Sequence, residues 1–200
     1  MFDDLDKTLE QLLKRELTPS LAEHLAITFV APDSEFPPSS VPLPAIDLFL
    51  YDIRENMDLR NSEWFIERST DGLTTRRRAP VRVNCSYLIT AWPNPASPNP
   101  AQDEHAVLGE VMKIMLRYPI IPEVLLQGSL KGQEPPLPAI TIHPGELQGW
   151  GDFWQAIGAK PKAALNYRVT IGVPVDRPLE TEVPVIEKIL KLYPEAEFAS

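Results

Sequence analysis

Proline most strongly limits what this chain can fold into, because 22 of its 200 residues are prolines. A proline lacks the backbone N–H and has a fixed φ, so it is excluded from helix interiors and from central strands. Two dense runs of prolines, within residues 37–44 and 93–100, predict stiff, extended loops. Regular secondary structure is therefore expected before, between and after these two loops.

Periodic hydrophobic patterns fill the intervening segments. Helical spacing predicts helices, and alternation or short apolar runs predict strands. The expected helices cover residues 3–17, 107–118 and 149–156, and the expected strands cover residues 25–30, 45–54, 81–91, 137–143 and 165–173. This order predicts an α+β fold with a mixed or antiparallel sheet covered by helices.

Two of the strand patterns predict where their strands lie. Residues 45–54 are apolar on both faces, which predicts a strand at the centre of the sheet. Residues 81–91 alternate strictly between apolar and polar positions, which predicts a half-buried strand with one face in solvent.

A β-hairpin is predicted between these two strands. The pair Asp71-Gly72 separates residues 63–68 from residues 74–78, and both residue types tolerate the positive φ of a tight turn. Arg76, Arg77 and Arg78 follow the turn and form the only dense basic patch of the chain. The patch is either a solvated strand end or a docking site for an acidic protein surface.

Charge and composition exclude several classes of function. The formal net charge of −9 argues against a protein held by nucleic acid or by anionic lipid. One cysteine and three histidines build neither a disulfide framework nor a Cys/His zinc site, so no metal or cofactor is expected. The chain has no basic leader and no apolar run of membrane-spanning length, which predicts a cytoplasmic protein without membrane insertion.

Catalytic motifs are not apparent in this sequence. In Gly128-Ser129-Leu130-Lys131-Gly132 the lysine precedes the second glycine, which does not fit a phosphate-binding loop. The competing hypothesis is a small enzyme or ligand-binding domain that uses Asp47, Asp52 or His105 in a cleft. A deep polar pocket with perturbed carboxylates would support that hypothesis.

Four segments together resemble one family of proteins. They comprise residues 48–61; residues 81–92; residues 103–112 with 118–122; and residues 147–157 with 165–169. With the opening helix, the resemblance covers residues 3–175. The chain is similar to the N-terminal domain of the cap, or tail-terminator, protein of contractile injection systems related to the Photorhabdus virulence cassette and the antifeeding prophage.

The resemblance implies a single phage-tail-terminator-like domain over residues 1–175. Residues 176–200 carry little core pattern, which predicts a short C-terminal arm. The resemblance also implies a structural protein without catalysis, forming a hexameric ring that closes the baseplate-distal end of the inner tube and sheath. Inner tube and sheath proteins are then its partners, in a particle that is either released or anchored at a membrane. A neck or completion protein of a true phage tail is the rival within the structural class.

Interface residues are expected where polar side chains project from the sheet. Asp58, Arg60 and Asn61 follow the strand over residues 45–54, and Arg76, Arg77 and Arg78 follow the predicted turn. These six residues are the candidate protein interface. A closed ring needs such a surface to meet a different surface on the neighbouring subunit.

Overall fold

The computed structural model describes residues 1–32, 37–61, 64–68, 74–133, 136–142, 150–156, 158 and 160–175, with residues 64–68, 74–77 and 150 as backbone only. The chain divides into two compact units: Met1–Arg60 with Val81–Val173, and Asn61–Pro80 with Pro174–Ser200. The predicted arm over residues 176–200 lies outside the described residues and stays a prediction.

Seven strands and four α-helices make up the described structure. The strands are β1 Ala26–Thr28, β2 Ala45–Glu55, β3 Trp64–Arg68, β4 Thr74–Arg78, β5 Val81–Trp92, β6 Ala139–Thr141 and β7 Leu165–Val173. The helices are α1 Phe2–Glu16, α2 Pro19–Ala22, α3 Pro100–Arg117 and α4 Trp150–Ala156.

The first unit is organised by a five-stranded mixed sheet in the order β1-β2-β5-β7-β6. The pair β1–β2 is parallel, and the other three pairs are antiparallel. Both edge strands have only three residues, whereas β2, β5 and β7 have 11, 12 and 9. The α+β architecture with a mixed sheet is therefore as the sequence predicts.

The main hydrophobic core lies between one face of this sheet and the helices α1 and α3. Helix α1 contributes four leucines at helical spacing, and α3 contributes a second apolar stripe. The sheet contributes alternate residues of its three long strands. The core includes Leu5, Leu9, Leu12 and Leu13 of α1; Leu108, Val111, Ile114 and Met115 of α3; and Ile46, Leu48, Tyr87, Ile89, Tyr167 and Val169 of the sheet.

Hydrogen bonds fix α1 on this core. The Tyr87 hydroxyl is buried and donates to Asp6 Oδ1 over 2.8 Å, which joins α1 to the centre of β5. At the start of the helix, Ser129 donates its backbone N–H and its hydroxyl to Asp4 Oδ2, at 3.1 and 2.7 Å. Two acids of the first turns thus anchor α1 in defined positions.

The second face of the sheet is covered as well. Phe153 of α4 packs edge-on against Tyr51, with 6.1 Å between the ring centroids. The Tyr51 hydroxyl donates to Asn166 Oδ1 over 2.9 Å. Leu88 and Thr90 on this face are fully buried. The sheet therefore has an apolar core on one face and a mixed polar and apolar layer on the other.

Two strand predictions are wrong in position or burial. Strand β2 lies second from the edge, and the centre belongs to β5. An apolar strand reveals burial on both faces but not its place in the strand order. Strand β5 is buried on both faces from Cys85 to Ala91, because its polar residues lie in the second layer rather than in solvent.

Other elements differ from the predictions mainly in their ends. Helix α3 starts at Pro100, seven residues before its apolar stripe, because proline is favoured in the first helical turn. Strands β1 and β6 are shorter than residues 25–30 and 137–143. The predicted Asp71-Gly72 turn lies outside the described residues.

Replacing Gly128 with alanine should destabilise the fold. Gly128 has φ +50, and a Cβ built on it would lie 2.1 Å from Asp4 Oδ1. We expect Gly128→Ala to lower the free energy of unfolding by about 2 kcal/mol or more, since both backbone strain and displacement of Asp4 contribute. Gly132 has φ +70 with open space around it, so Gly132→Ala should cost only about 1 kcal/mol. Urea unfolding measures both values, and equal losses would contradict a clash with Asp4.

Candidate protein-interaction site

The arginine hairpin, defined as β3 and β4, carries three of the candidate interface residues. Its strands pair antiparallel, with Arg78 opposite Trp64, Arg77 opposite Phe65 and Arg76 opposite Ile66. Successive strand residues alternate between faces, so positions 76 and 78 share one face and position 77 lies on the other. Strand geometry therefore divides the basic patch between two faces of the ribbon.

The interface loop, defined as residues 56–61, carries the other three candidates. It contains a 3-10 turn over Met57–Leu59, in which the Leu59 N–H donates to Asn56 Oδ1 over 3.1 Å. Asn56 in turn is held by the sheet, because its N–H donates to the Arg82 carbonyl over 2.7 Å and its Nδ2 to Asn84 Oδ1 over 3.1 Å. The loop is thus rigidly attached at its start.

Polar and apolar side chains are exposed together on this loop. Asp58 and Asn61 are exposed, and Arg60 Nε lies 3.0 Å from Glu55 Oε1. Met57 and Leu59 are 61% and 47% exposed, and the sequence prediction did not include them. Large apolar side chains exposed beside charged ones are typical of protein contact surfaces. Alternation of apolar and charged residues over residues 57–60, Met-Asp-Leu-Arg, is the sequence pattern that could have indicated this exposure.

The residues of the competing hypothesis do not come together. Asp47 and Thr90 are register partners on the face that α4 covers, whereas His105 lies on α3, which packs on the opposite face. Asp52 is paired with Arg54, with 2.9 Å between carboxylate and guanidinium. Among the described residues, the three side chains therefore form no common cleft.

Asp47 is nevertheless an unusual carboxyl group. It is completely buried, and the Val30 N–H donates to its Oδ1 over 3.1 Å. Its Oδ2 has no hydrogen-bond partner among the described residues. Burial raises the pKa of Asp47 to about 8, and the bond from Val30 only partly opposes that shift. Asp47 is therefore a neutral structural acid at neutral pH.

Comparison with protein families identifies the family to which the chain belongs. Residues 4–188 match the model of the Pvc16 N-terminal domain. The chain belongs to the Pvc16 N-terminal domain family. The match includes the whole five-stranded sheet and the arginine hairpin, so both units contribute to the family domain. The resemblance predicted from the four segments is confirmed.

Two solved structures share the fold of this Pvc16 N-terminal domain. One is the sheath/tube terminator of an extracellular contractile injection system, PVC, in the extended state, with a TM-score of 0.72 and 23% identity. The other is the tube-terminating cap of the anti-feeding prophage, with a TM-score of 0.67 and 27% identity. Both comparisons cover 100% of this chain and 65% and 64% of the respective relative. None of the curated proteins compared with the chain is similar to it.

Two further findings concern the described part of the Pvc16 N-terminal domain. None of its helices is long and apolar enough to cross a membrane. No three or more of its His, Cys, Asp and Glu side chains are grouped so that they could hold a metal ion. Cys85 is buried in the core, where burial raises its pKa to about 12, so it packs as a small apolar residue.

Replacing Asp47 with asparagine should change how stability depends on pH. The folded state holds the Asp47 proton up to pH of about 8, whereas the ordinary pKa is 3.8, so the free energy of unfolding falls as pH rises between these values. The slope should approach about 1.4 kcal/mol per pH unit. Asp47→Asn should remove this contribution, while the exposed control Asp58→Asn should keep it. Urea unfolding at pH 5, about 6.5 and about 8 measures the slope; a wild-type slope in Asp47→Asn would contradict the assignment.

Proposed function

We propose that the protein is a structural cap, or tail terminator, of a phage-tail-like contractile injection system. In this proposal six copies form a ring that closes the baseplate-distal end of the inner tube and the sheath and ends their polymerisation. The observation that carries the proposal is the fold shared over 100% of this chain with two terminators, one of sheath and tube and one of tube. The neck or completion protein of a true phage tail is less favoured, because both relatives come from injection systems.

The architecture suits a subunit that binds the end of a polymer and prevents further subunits from adding. A closed ring requires one surface to meet a different surface on the next subunit, and the interface loop and the arginine hairpin are the two candidate contacts. Both sheet edges are strands of only three residues. Short edge strands limit unwanted addition of further strands, which is what the last layer of a polymer requires.

We propose that the contact with the partner is electrostatic at the arginine hairpin and both apolar and electrostatic at the interface loop. The chain carries −9 overall, so a hairpin with three consecutive arginines is a local exception. Such a ribbon is suited to an acidic rim of the tube, the sheath or a neighbouring cap subunit. Met57 and Leu59 would supply apolar contact area beside Asp58 and Arg60. The proposal includes no catalytic step and places assembly in the cytoplasm.

Deleting the gene should give particles with irregular lengths or frayed ends. A terminator supplies the surface on which the next layer of tube or sheath does not add, so its loss leaves elongation unchecked. Electron microscopy of particles from deletion and complemented strains measures the length distribution and shows the symmetry of the end. A broad distribution that complementation restores, with a six-fold ring at the end, is the expected outcome. Uniform, intact particles from the deletion strain would refute the proposal.

Reversing charges on one face of the arginine hairpin should weaken assembly more than reversing charge on the other. Because positions 76 and 78 share a face, Arg76→Glu with Arg78→Glu tests one surface and Arg77→Glu tests the other. Charge reversal on the face that docks should reduce incorporation into particles roughly 5-fold or more. The effect should be clearest at low salt, where screening is weak. Melting temperatures should stay near wild type, as is usual for surface changes.

A variant with glutamate at all three positions, 76, 77 and 78, tests both faces of the hairpin together. It should be incorporated no better than the weaker of the two partial variants, with an unchanged circular dichroism spectrum. Normal incorporation of the triple variant would show that the three arginines are a solvated strand end. Equal, large defects in both partial variants would show contacts on both faces of the ribbon.

A further inference from the structure

We propose that a cavity beside the N-terminal half of α3, here called the α3 pocket, receives a basic side chain, best an arginine, from a protein partner. The pocket has a volume of about 240 Å³ and lies between α2, the end of β5 and α3. This inference is independent of the proposed function, since it concerns a surface that the arginine hairpin and the interface loop do not include.

The size of the α3 pocket favours a side chain over a small-molecule ligand. Pockets that enclose cofactors and metabolites are typically about 300–1,000 Å³, and this cavity is smaller. The cavity is partly open to solvent, so a side chain that projects from a partner can reach it. An anchor residue of a partner is the occupant that fits these dimensions.

The walls of the α3 pocket are apolar and stiff. Leu21 and Val107 contribute aliphatic surface, and Pro44 and Pro93 contribute rings with fixed φ. Such walls suit the aliphatic stem of a long side chain, which is often buried while its charged head stays near solvent. Preorganised walls also lower the entropic cost of binding.

The polar groups of the α3 pocket favour a cation. Among the described residues that line it, the charged ones are Asp103 and Glu104, and both are acidic. Asp103 Oδ2 accepts a hydrogen bond from the Ser97 hydroxyl, so its carboxylate is fixed in position. Glu104 lies 3.4 Å from the amine of Lys162, which leaves Asp103 as the acid without a basic partner among the described residues.

Lys162 keeps the inner wall of the α3 pocket in place. Its Nζ donates to the Ala91 carbonyl and lies 3.6 Å from the ring centroid of Trp92. The Trp92 indole N–H donates to Thr90 Oγ1 over 2.8 Å, so the ring cannot turn to fill the cavity without breaking that bond. Lys162 thus contacts three residues of the lining, Ala91, Trp92 and Glu104, from behind the pocket.

An anion is a poor alternative occupant, although the start of α3 carries a positive partial charge. Pro100 has no N–H, and the N–H groups of Gln102 and Asp103 both donate to the Asn99 carbonyl over 3.1 Å. The first turn therefore offers few free donors, and an anion would meet the carboxylates of Asp103 and Glu104. Arginine is preferred over lysine because its guanidinium is more weakly hydrated.

The test titrates the full chain with N-acetyl-argininamide and follows the indole signals by NMR, with Trp92 assigned through Trp92→Phe. We expect a saturable shift of the Trp92 signal with a Kd in the range of about 1–20 mM, as expected for one isolated side chain. N-acetyl-citrullinamide has the same shape without the charge, and it should bind roughly 3-fold or more weakly.

Matched variants decide whether the binding site is the α3 pocket. Ala106→Phe fills the cavity from an exposed position and should abolish the shift, whereas Ala101→Phe, outside the lining, should not. Asp103→Asn should weaken binding roughly 2- to 5-fold, and Glu110→Gln on the same helix should leave it unchanged. Circular dichroism checks that each variant is folded.

The alternative outcomes each overturn the proposal. No saturable shift up to about 50 mM argininamide, or equal binding of citrullinamide, would exclude a site for a basic side chain. Micromolar binding of free argininamide would show a small-molecule site instead. Unchanged binding in Ala106→Phe would place the interaction elsewhere. None of these results bears on the length of assembled particles, so this test and that of the proposed function fail separately.

Discussion

Burial of β5 on both faces is the constraint on which the rest of this fold depends. The strand lies at the centre of the sheet, pairs with β2 and β7, and presents Tyr87 and Ile89 to the core under α1 and α3. Its opposite residues, Leu88 and Thr90, need a second cover, which the layer with α4 supplies. A central strand of this kind fixes both layers at once, because neither face can be left in water at low free energy.

Helix α1 adds specificity to that hydrophobic arrangement. Its leucines pack in the core, and the bonds from Tyr87 to Asp6 and from Ser129 to Asp4 add directional contacts to that packing. Burial raises the pKa of Asp6, whereas the bonds from Ser129 lower the pKa of Asp4. The two acids therefore differ in electrostatic environment although they are two residues apart. Acids are common near a helix N-terminus because of the helix dipole, so residue type alone does not reveal these bonds.

Clean periodicity explains what the sequence could predict. The helix over residues 3–17 and the strand over residues 165–173 agree with α1 and β7 within one residue at each end. The alternation in β5 predicted the position of the strand correctly, but it wrongly predicted that one face lies in solvent. Its polar residues Asn84 and Thr90 accept hydrogen bonds from neighbouring side chains instead of facing solvent, and residue type alone does not distinguish these cases.

For the candidate site, the sequence located the loop and the strand of arginines but not their geometry. The division of Arg76, Arg77 and Arg78 between faces follows from strand pairing, and exposure of Met57 and Leu59 follows from the 3-10 turn. The α3 pocket had no sequence signal, because its lining comes from segments as distant as Leu21 and Val107.

The arginine hairpin is inserted between two strands that are already neighbours. Glu55 at the end of β2 pairs with Val83 near the start of β5, so the chain leaves and re-enters the sheet at almost the same point. Antiparallel partners are about 5 Å apart at their Cα atoms, a distance that a tight turn can also span. The hairpin is therefore an insertion whose length can change, during evolution or by engineering, while the five-stranded sheet keeps its strand register.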